Sequence, residues 1–151
     1  ASNIVSVNEL GEPYKANVGG VAGYSNSTLI DNVVSTTILR GHSNIGGIVG
    51  MYSYNSAAEQ VPKFVNTVNN YNQILSFGTL DQSDATDTRN NYYKKDGNYY
   101  LYESSNAYDI NSVINTLNAY SNTNGYLRWG KDLDGNIVFS KDISGNQGST
   151  P

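Results

Sequence analysis

The sequence predicts a mainly β fold, a short parallel β-solenoid followed by a C-terminal α+β cap. Three observations carry this. The heptapeptide Asn17-Val18-Gly19-Gly20-Val21-Ala22-Gly23 returns as Asn44-Ile45-Gly46-Gly47-Ile48-Val49-Gly50, a register of 27 residues. A repeat at a period of about 20 to 50 residues is the mark of a solenoid or array. The repeated residues are short and mostly β-favouring, bracketed by glycines that permit turns and close backbone approach. A strand of this kind cannot bury itself alone, but can when laid on its copy at the roughly 4.8 Å spacing of a sheet. Beyond residue 77 the pattern changes to hairpin and helix signals.

Taken in order, Ile4, Val5 and Val7 read as a short strand and Gly11-Glu12-Pro13 as a turn. A first coil is expected over residues 15–40, with strands over 18–22, 29–34 and 38–39. Gly41-His42-Ser43-Asn44 is the next turn, and a second coil follows over 44–75. Its long connection, residues 51–63, carries Tyr52 and Tyr54. Long excursions from a solenoid often sit on its binding face.

The two heptapeptides resemble the GLUG repeat, whose core reads apolar-Gly-Gly-Leu-apolar-Gly. Val21 and Ile48 stand where the family prefers Leu. The family's second element, Ile-x-Asn followed by an apolar residue, is matched by Ile30-Asp31-Asn32-Val33 and more loosely by Phe64-Val65-Asn66-Thr67. These two are 34 residues apart, so the second coil carries seven extra residues, between Met51 and Lys63. The resemblance covers residues 15–75. It implies a right-handed parallel β-helix whose repeat positions are Gly19, Gly20, Gly23, Gly46, Gly47 and Gly50. It also implies a bacterial surface setting, since GLUG repeats occur in surface adhesins and immunoglobulin A proteases.

The cap is read from residues 77–143. Residues 82–91 are polar and turn-rich. Tyr92-Tyr93-Lys94-Lys95-Asp96-Gly97-Asn98-Tyr99-Tyr100-Leu101-Tyr102 is a hairpin signal, an Asp-Gly turn between aromatic strands. Ile110, Val113, Ile114 and Leu117 fall on one face of a helix, with Asp109 as N-cap and Gly125 at its end. A second hairpin centres on Asp134-Gly135, preceded by Trp129. Leu117-Asn118, Trp129 and this hairpin resemble the segment that often follows the last GLUG coil. Such a cap would cover the apolar end of the stack and block its open edge. The expected division is 1–76 coils, 77–143 cap and 144–151 flexible tail.

The totals set bounds on function. The chain has 151 residues, enough for one ordinary domain. Hydrophobic content is 38%, charged content 15% and net charge −4, so Asn, Ser, Thr and Tyr supply most of the polar surface. Lys and Arg total nine, without a basic patch, which argues against nucleic acid. The absence of cysteine excludes disulfides and thiolate zinc sites. No run approaches the roughly 18 apolar residues of a membrane span, and residues 1–30 carry no signal pattern. The chain is read as a mature form or an excised piece of an exported protein, since it opens in mid-pattern.

The residues do not assemble a catalytic set. His42 is the only histidine, in a Gly-rich turn, with neither a Gly-x-Ser-x-Gly element nor a His-Glu-x-x-His helix to support it. A polysaccharide-lyase groove would need clustered carboxylates, yet Asp31, Arg40, Glu59 and Lys63 do not recur at the coil register. Asp132, Asp134 and Asn136 have the opening spacing of a calcium loop. Position twelve of such a loop would be Ile143 rather than glutamate, so a hairpin turn is the reading and no cofactor is expected. Asp81, Asp84 and Asp87 read as a solvated loop. The chain holds thirteen tyrosines. With both faces of the first hairpin carrying rings, Tyr93, Tyr100 and Tyr102 join Tyr52 and Tyr54 as candidate ligand-binding residues, since exposed rings suit sugars and protein partners.

The expected function is therefore non-catalytic. The chain would be an extracellular or cell-surface bacterial module for spacing, display or adhesion. Its partners would be a host glycan, an extracellular protein, or other domains of its own parent chain. Two alternatives stand beside it: an accessory domain of a large secreted protease such as an immunoglobulin A protease, and a fragment of a carbohydrate-active β-helix enzyme. Gly47→Val is expected to disrupt folding because a β-branched residue cannot take a glycine-only backbone.

Overall fold

Like sequence pairs with like. The computed structural model describes residues 3–5, 18–26, 29–36, 38–40, 45–53, 63–70, 77–80, 87–102 and 104–143. The expected turn at His42, the bulk of the 51–63 connection with Tyr54, and the 144–151 tail lie outside these. The described chain is mainly β, with fourteen strands and one α-helix.

The first heptapeptide supplies one short strand and the start of the next. Asn3–Val5 forms β1, Val18–Gly19 β2, Ala22–Asn26 β3, Leu29–Ser35 β4 and Ile38–Arg40 β5. The second gives Ile45–Gly46 (β6) and Val49–Ser53 (β7), followed by Lys63–Asn69 (β8). β2 pairs in parallel with β6, Val18 opposite Ile45 and Gly19 opposite Gly46. β3 pairs in parallel with β7 at the same 27-residue offset, Ala22 opposite Val49. β4 pairs in parallel with β8, Ile30 opposite Phe64, at an offset of 34. β1 pairs in parallel with β5.

The parallel pairing continues past residue 76. Phe77–Leu80 (β9) lies on β7, with Phe77 opposite Val49. Asp87–Lys95 (β10) begins on β8, with Asp87 opposite Lys63. The expected boundary at 76/77 thus falls inside a run of parallel strands, and residues 87–91, read as polar loop, are strand. Their polarity is matched within the sheet. Thr67 Oγ1 donates to Asn91 Oδ1 at 2.8 Å, and Asn91 Nδ2 donates to the Phe64 carbonyl at 2.7 Å.

β10 then turns back as the expected hairpin with Asn98–Leu101 (β11). Asp96 and Gly97 both have positive φ, the conformation an Asp-Gly primed turn requires. Ala107–Tyr108 (β12) extends this sheet, giving the order β12-β11-β10-β8-β4. The helix α1 spans Ile110–Asn124. The Asp109 carboxylate accepts from the Asn111 and Ser112 amides, and Gly125 closes the helix in the left-handed region. Trp129–Lys131 (β13) and Ile137–Phe139 (β14) form the second hairpin, with a five-residue connection, 132–136, rather than a tight two-residue turn.

Two cores result. One holds Ile30, Ile48, Val49 and Phe64, with Val33 and Tyr102 packed against it. The other joins Val68, Tyr92 and Tyr99 of the sheet to Val113 and Leu117 of α1 and to Trp129 and Ile137 of the second hairpin. The glycines act by close approach. A methyl group at Gly47 would run into the Asn69 amide, and one at Gly20 into the Gly47 carbonyl and the Ser35 hydroxyl. The left-handed glycines among the described residues are Gly97, Gly125 and Gly135. The reason expected for Gly47 is therefore corrected: it is crowded, and its φ is not one that only glycine adopts.

Candidate functional site

The side chains that join sheet to cap come first, because they orient the surface around them. Asn32 and Asn66 both have left-handed φ, 56° and 61°, and Asn90 repeats it at 55°. The flanking registers align all three across β4, β8 and β10. Asn66 Nδ2 donates to Asn32 Oδ1 at 2.8 Å and to the Leu117 carbonyl at 3.1 Å. Asn32 Oδ1 also accepts from Ser121 Oγ at 2.8 Å and Trp129 Nε1 at 2.9 Å. Asn66 Oδ1 is buried without a hydrogen-bond partner. Asn118 grips Trp129 in both directions, accepting from its amide at 2.7 Å and donating to its carbonyl at 3.1 Å. The asparagines of the Ile-x-Asn elements thus hold the helix and the Trp129 hairpin on the sheet.

A second joint holds the hairpins together. Tyr99 is buried, its hydroxyl donating to Asn70 Oδ1 and accepting from the Ile137 amide. Burial pushes its phenol well above the ordinary tyrosine range, ahead of the opposing effect of the Ile137 amide. Lys94 reaches across to the 132–136 connection, donating to Asn136 Oδ1 at 2.8 Å and to the Gly135 carbonyl at 3.3 Å. Asp132 Oδ1 accepts from the Asp134 and Asn136 amides at 3.0 and 2.8 Å. The calcium-loop candidates Asp132 and Asn136 therefore serve the loop backbone and Lys94. Among the described residues no group of three or more His, Asp or Glu side chains is placed to hold a metal.

The tyrosine candidates divide by face. Tyr92 and Tyr99 are buried in the core. Tyr93 and Tyr100 are half-buried cross-strand partners on the opposite face, stacked with centroids 5.5 Å apart. Tyr102 packs against the Ile30–Phe64 core. Tyr52 lies in β7, opposite Ser25 and Leu80. Of the five candidates, Tyr93 and Tyr100 meet as the stacked pair, and Tyr54 lies outside the described residues.

What it does form is a cleft of about 350 Å³ where the first hairpin turn, the start of α1 and the second hairpin meet. Gly97, Asn98, Tyr108, Asp109, Lys131 and Gly135 line its rim, with Tyr99 and Ile110. The Tyr108 ring is 40% exposed and braced edge-on against Tyr92, centroids 6.0 Å apart. Sequence reading missed this site because its residues come from separate segments. The signal was the isolated Ala107-Tyr108 pair just ahead of the N-cap.

A further polar cluster lies beside the asparagine corner. Tyr126 donates to Asp31 Oδ2 at 3.0 Å, and Tyr120 and Tyr126 face each other at 6.0 Å. Arg89 lies over the Tyr120 ring at 5.7 Å. Burial, then the Asp31 carboxylate, push the Tyr120 phenol up to about 12. No helix among the described residues is long and apolar enough to cross a membrane. No protein-family model, curated protein or solved structure matches the chain.

Proposed function

We propose that the chain is a non-catalytic module of a bacterial cell-surface or secreted protein, serving display and adhesion. In this reading the parallel sheets are the faces of a short right-handed β-helix of GLUG type. The observation that supports it is register. The glycine motifs pair in parallel at 27 residues, and the Ile-x-Asn elements pair in parallel at 34. A stack of this kind presents loops and turns at fixed spacing along one axis. The first hairpin, which continues the sheet, and the helix and second hairpin packed against it add exposed tyrosines such as Tyr108 and Tyr126, a residue type suited to sugars and to protein partners.

The test uses the whole chain coupled to beads and presented to a glycan array and to immobilised extracellular-matrix proteins. Adhesion predicts saturable attachment to at least one of the two. Attachment to neither would overturn adhesion and leave a spacer.

A further inference from the structure

We infer that the cleft lined by Tyr108 is a binding site for a neutral saccharide unit. This rests on the adhesive reading and gives it a location and a ligand class. The cleft volume, about 350 Å³, lies at the lower end of small-molecule sites, which run from about 300 to 1,000 Å³. That is room for one or two sugar rings.

The lining has the mixed character a sugar needs. A pyranose offers one face of polarised C–H groups and a rim of hydroxyls. The negative π face of an aromatic ring attracts such positive C–H edges. Tyr108 supplies that ring: it lines the cleft, is exposed and meets Tyr92 edge-on. Asn98, Asp109 and Lys131 line the same cleft. Between them they offer donors and acceptors to hydroxyls that are both.

Charge narrows the class. The lining holds one residue of each charge, Asp109 and Lys131, so it favours neither sign. The first amides of α1 would otherwise form an anion seat, but Asp109 Oδ2 already accepts from Asn111 at 3.1 Å and Ser112 at 3.2 Å. A phosphate would meet a carboxylate where it needs free N–H groups. A neutral sugar meets no such repulsion.

The experiment is calorimetric titration of the whole chain with maltotriose, cellotriose and chitotriose, with inorganic phosphate as the anionic probe. Tyr108→Ala and Lys131→Ala are compared with Tyr24→Ala, a change at an exposed ring outside the cleft. Circular dichroism confirms that each variant is folded. The expected result is binding of at least one trisaccharide and not of phosphate. Affinity should fall about tenfold or more in Tyr108→Ala, fall by a smaller factor in Lys131→Ala, and stay unchanged in Tyr24→Ala. Since Tyr108 also touches Tyr92, Lys131→Ala carries the test if Tyr108→Ala fails to fold. Trisaccharide binding that survives both cleft substitutions overturns the assignment while leaving adhesion intact. Attachment to matrix proteins without binding of any trisaccharide also overturns it and spares adhesion. Failure of both assays overturns the two together.

Discussion

Asn32, Asn66 and Asn90 share a backbone conformation that costs most residues roughly 1–2 kcal/mol and that asparagine tolerates. Asn66 does two things there, bending the strand and donating its amide to Asn32 and Leu117. The two contributions separate by substitution. Asn66→Gly keeps the bend and loses the buried bonds, and should cost about 1–3 kcal/mol in urea denaturation. Asn66→Ala loses both and should cost about a further 1 kcal/mol. Equal losses in the two variants would show that the bend carries no strain. The tyrosine cluster gives the pH dependence. The Tyr120 phenol is raised to about 12 in the fold against an unfolded value near 10, and Tyr92 and Tyr99 are raised as well, chiefly by burial. Their contribution is complete below pH about 10 and is lost as pH rises through the folded values. Stability should therefore fall between pH about 10 and 12. Asp31→Asn should flatten part of that fall, read from tyrosinate absorbance alongside unfolding.

At the scale of the element, glycine crowding and helix capping set the vulnerable points. Gly47→Ala should cost about 1–3 kcal/mol through overpacking against Asn69, a side chain that can shift in part. Gly20→Ala should cost more, because it meets the fixed Gly47 carbonyl. Thermal melts of the two variants check the order. Asp109→Ala should cost about 1 kcal/mol as a lost N-cap. The same scale explains what could be read in advance. The paired glycine motifs, both hairpins and the helix face were legible because each rests on local chemistry: Gly-Gly, Asp-Gly and a run of apolar residues at helical spacing. β9 and the first half of β10 were not. Phe77-Gly78-Thr79-Leu80 lacks the double glycine, and the third corner, Asn90, is flanked by Arg89 and Asn91 rather than apolar residues. The buried amide of the neighbouring Asn91 is matched by Thr67 and the Phe64 carbonyl, partners that a single strand does not reveal. The cleft was invisible for the same reason, being assembled from four segments.

Across the whole molecule, Trp129 is a reporter placed where sheet, helix and second hairpin meet. It is the only tryptophan and is buried. Because Val68 and Tyr92 belong both to the sheet and to the core around α1, loss of the helix should propagate to the sheet. Leu117→Ala, a fully buried truncation, should cost about 2–5 kcal/mol. Tryptophan fluorescence and far-ultraviolet dichroism should still move together, as one cooperative transition. Fluorescence loss at lower denaturant than dichroism would mean that helix and hairpin form an independent unit.

The spacing between aligned asparagines is not constant. Asn66 follows Asn32 by 34 residues, and Asn90 follows Asn66 by a shorter step, as the 24-residue separation of Thr67 and Asn91 shows. Alignment is therefore kept by the asparagine positions themselves rather than by a fixed repeat length. Such a molecule is a ready carrier. Foreign peptide grafted between Ser53 and Lys63, the end of β7 and the start of β8, should leave the register of β4 on β8 unchanged, and the melting temperature of the graft should match that of the parent.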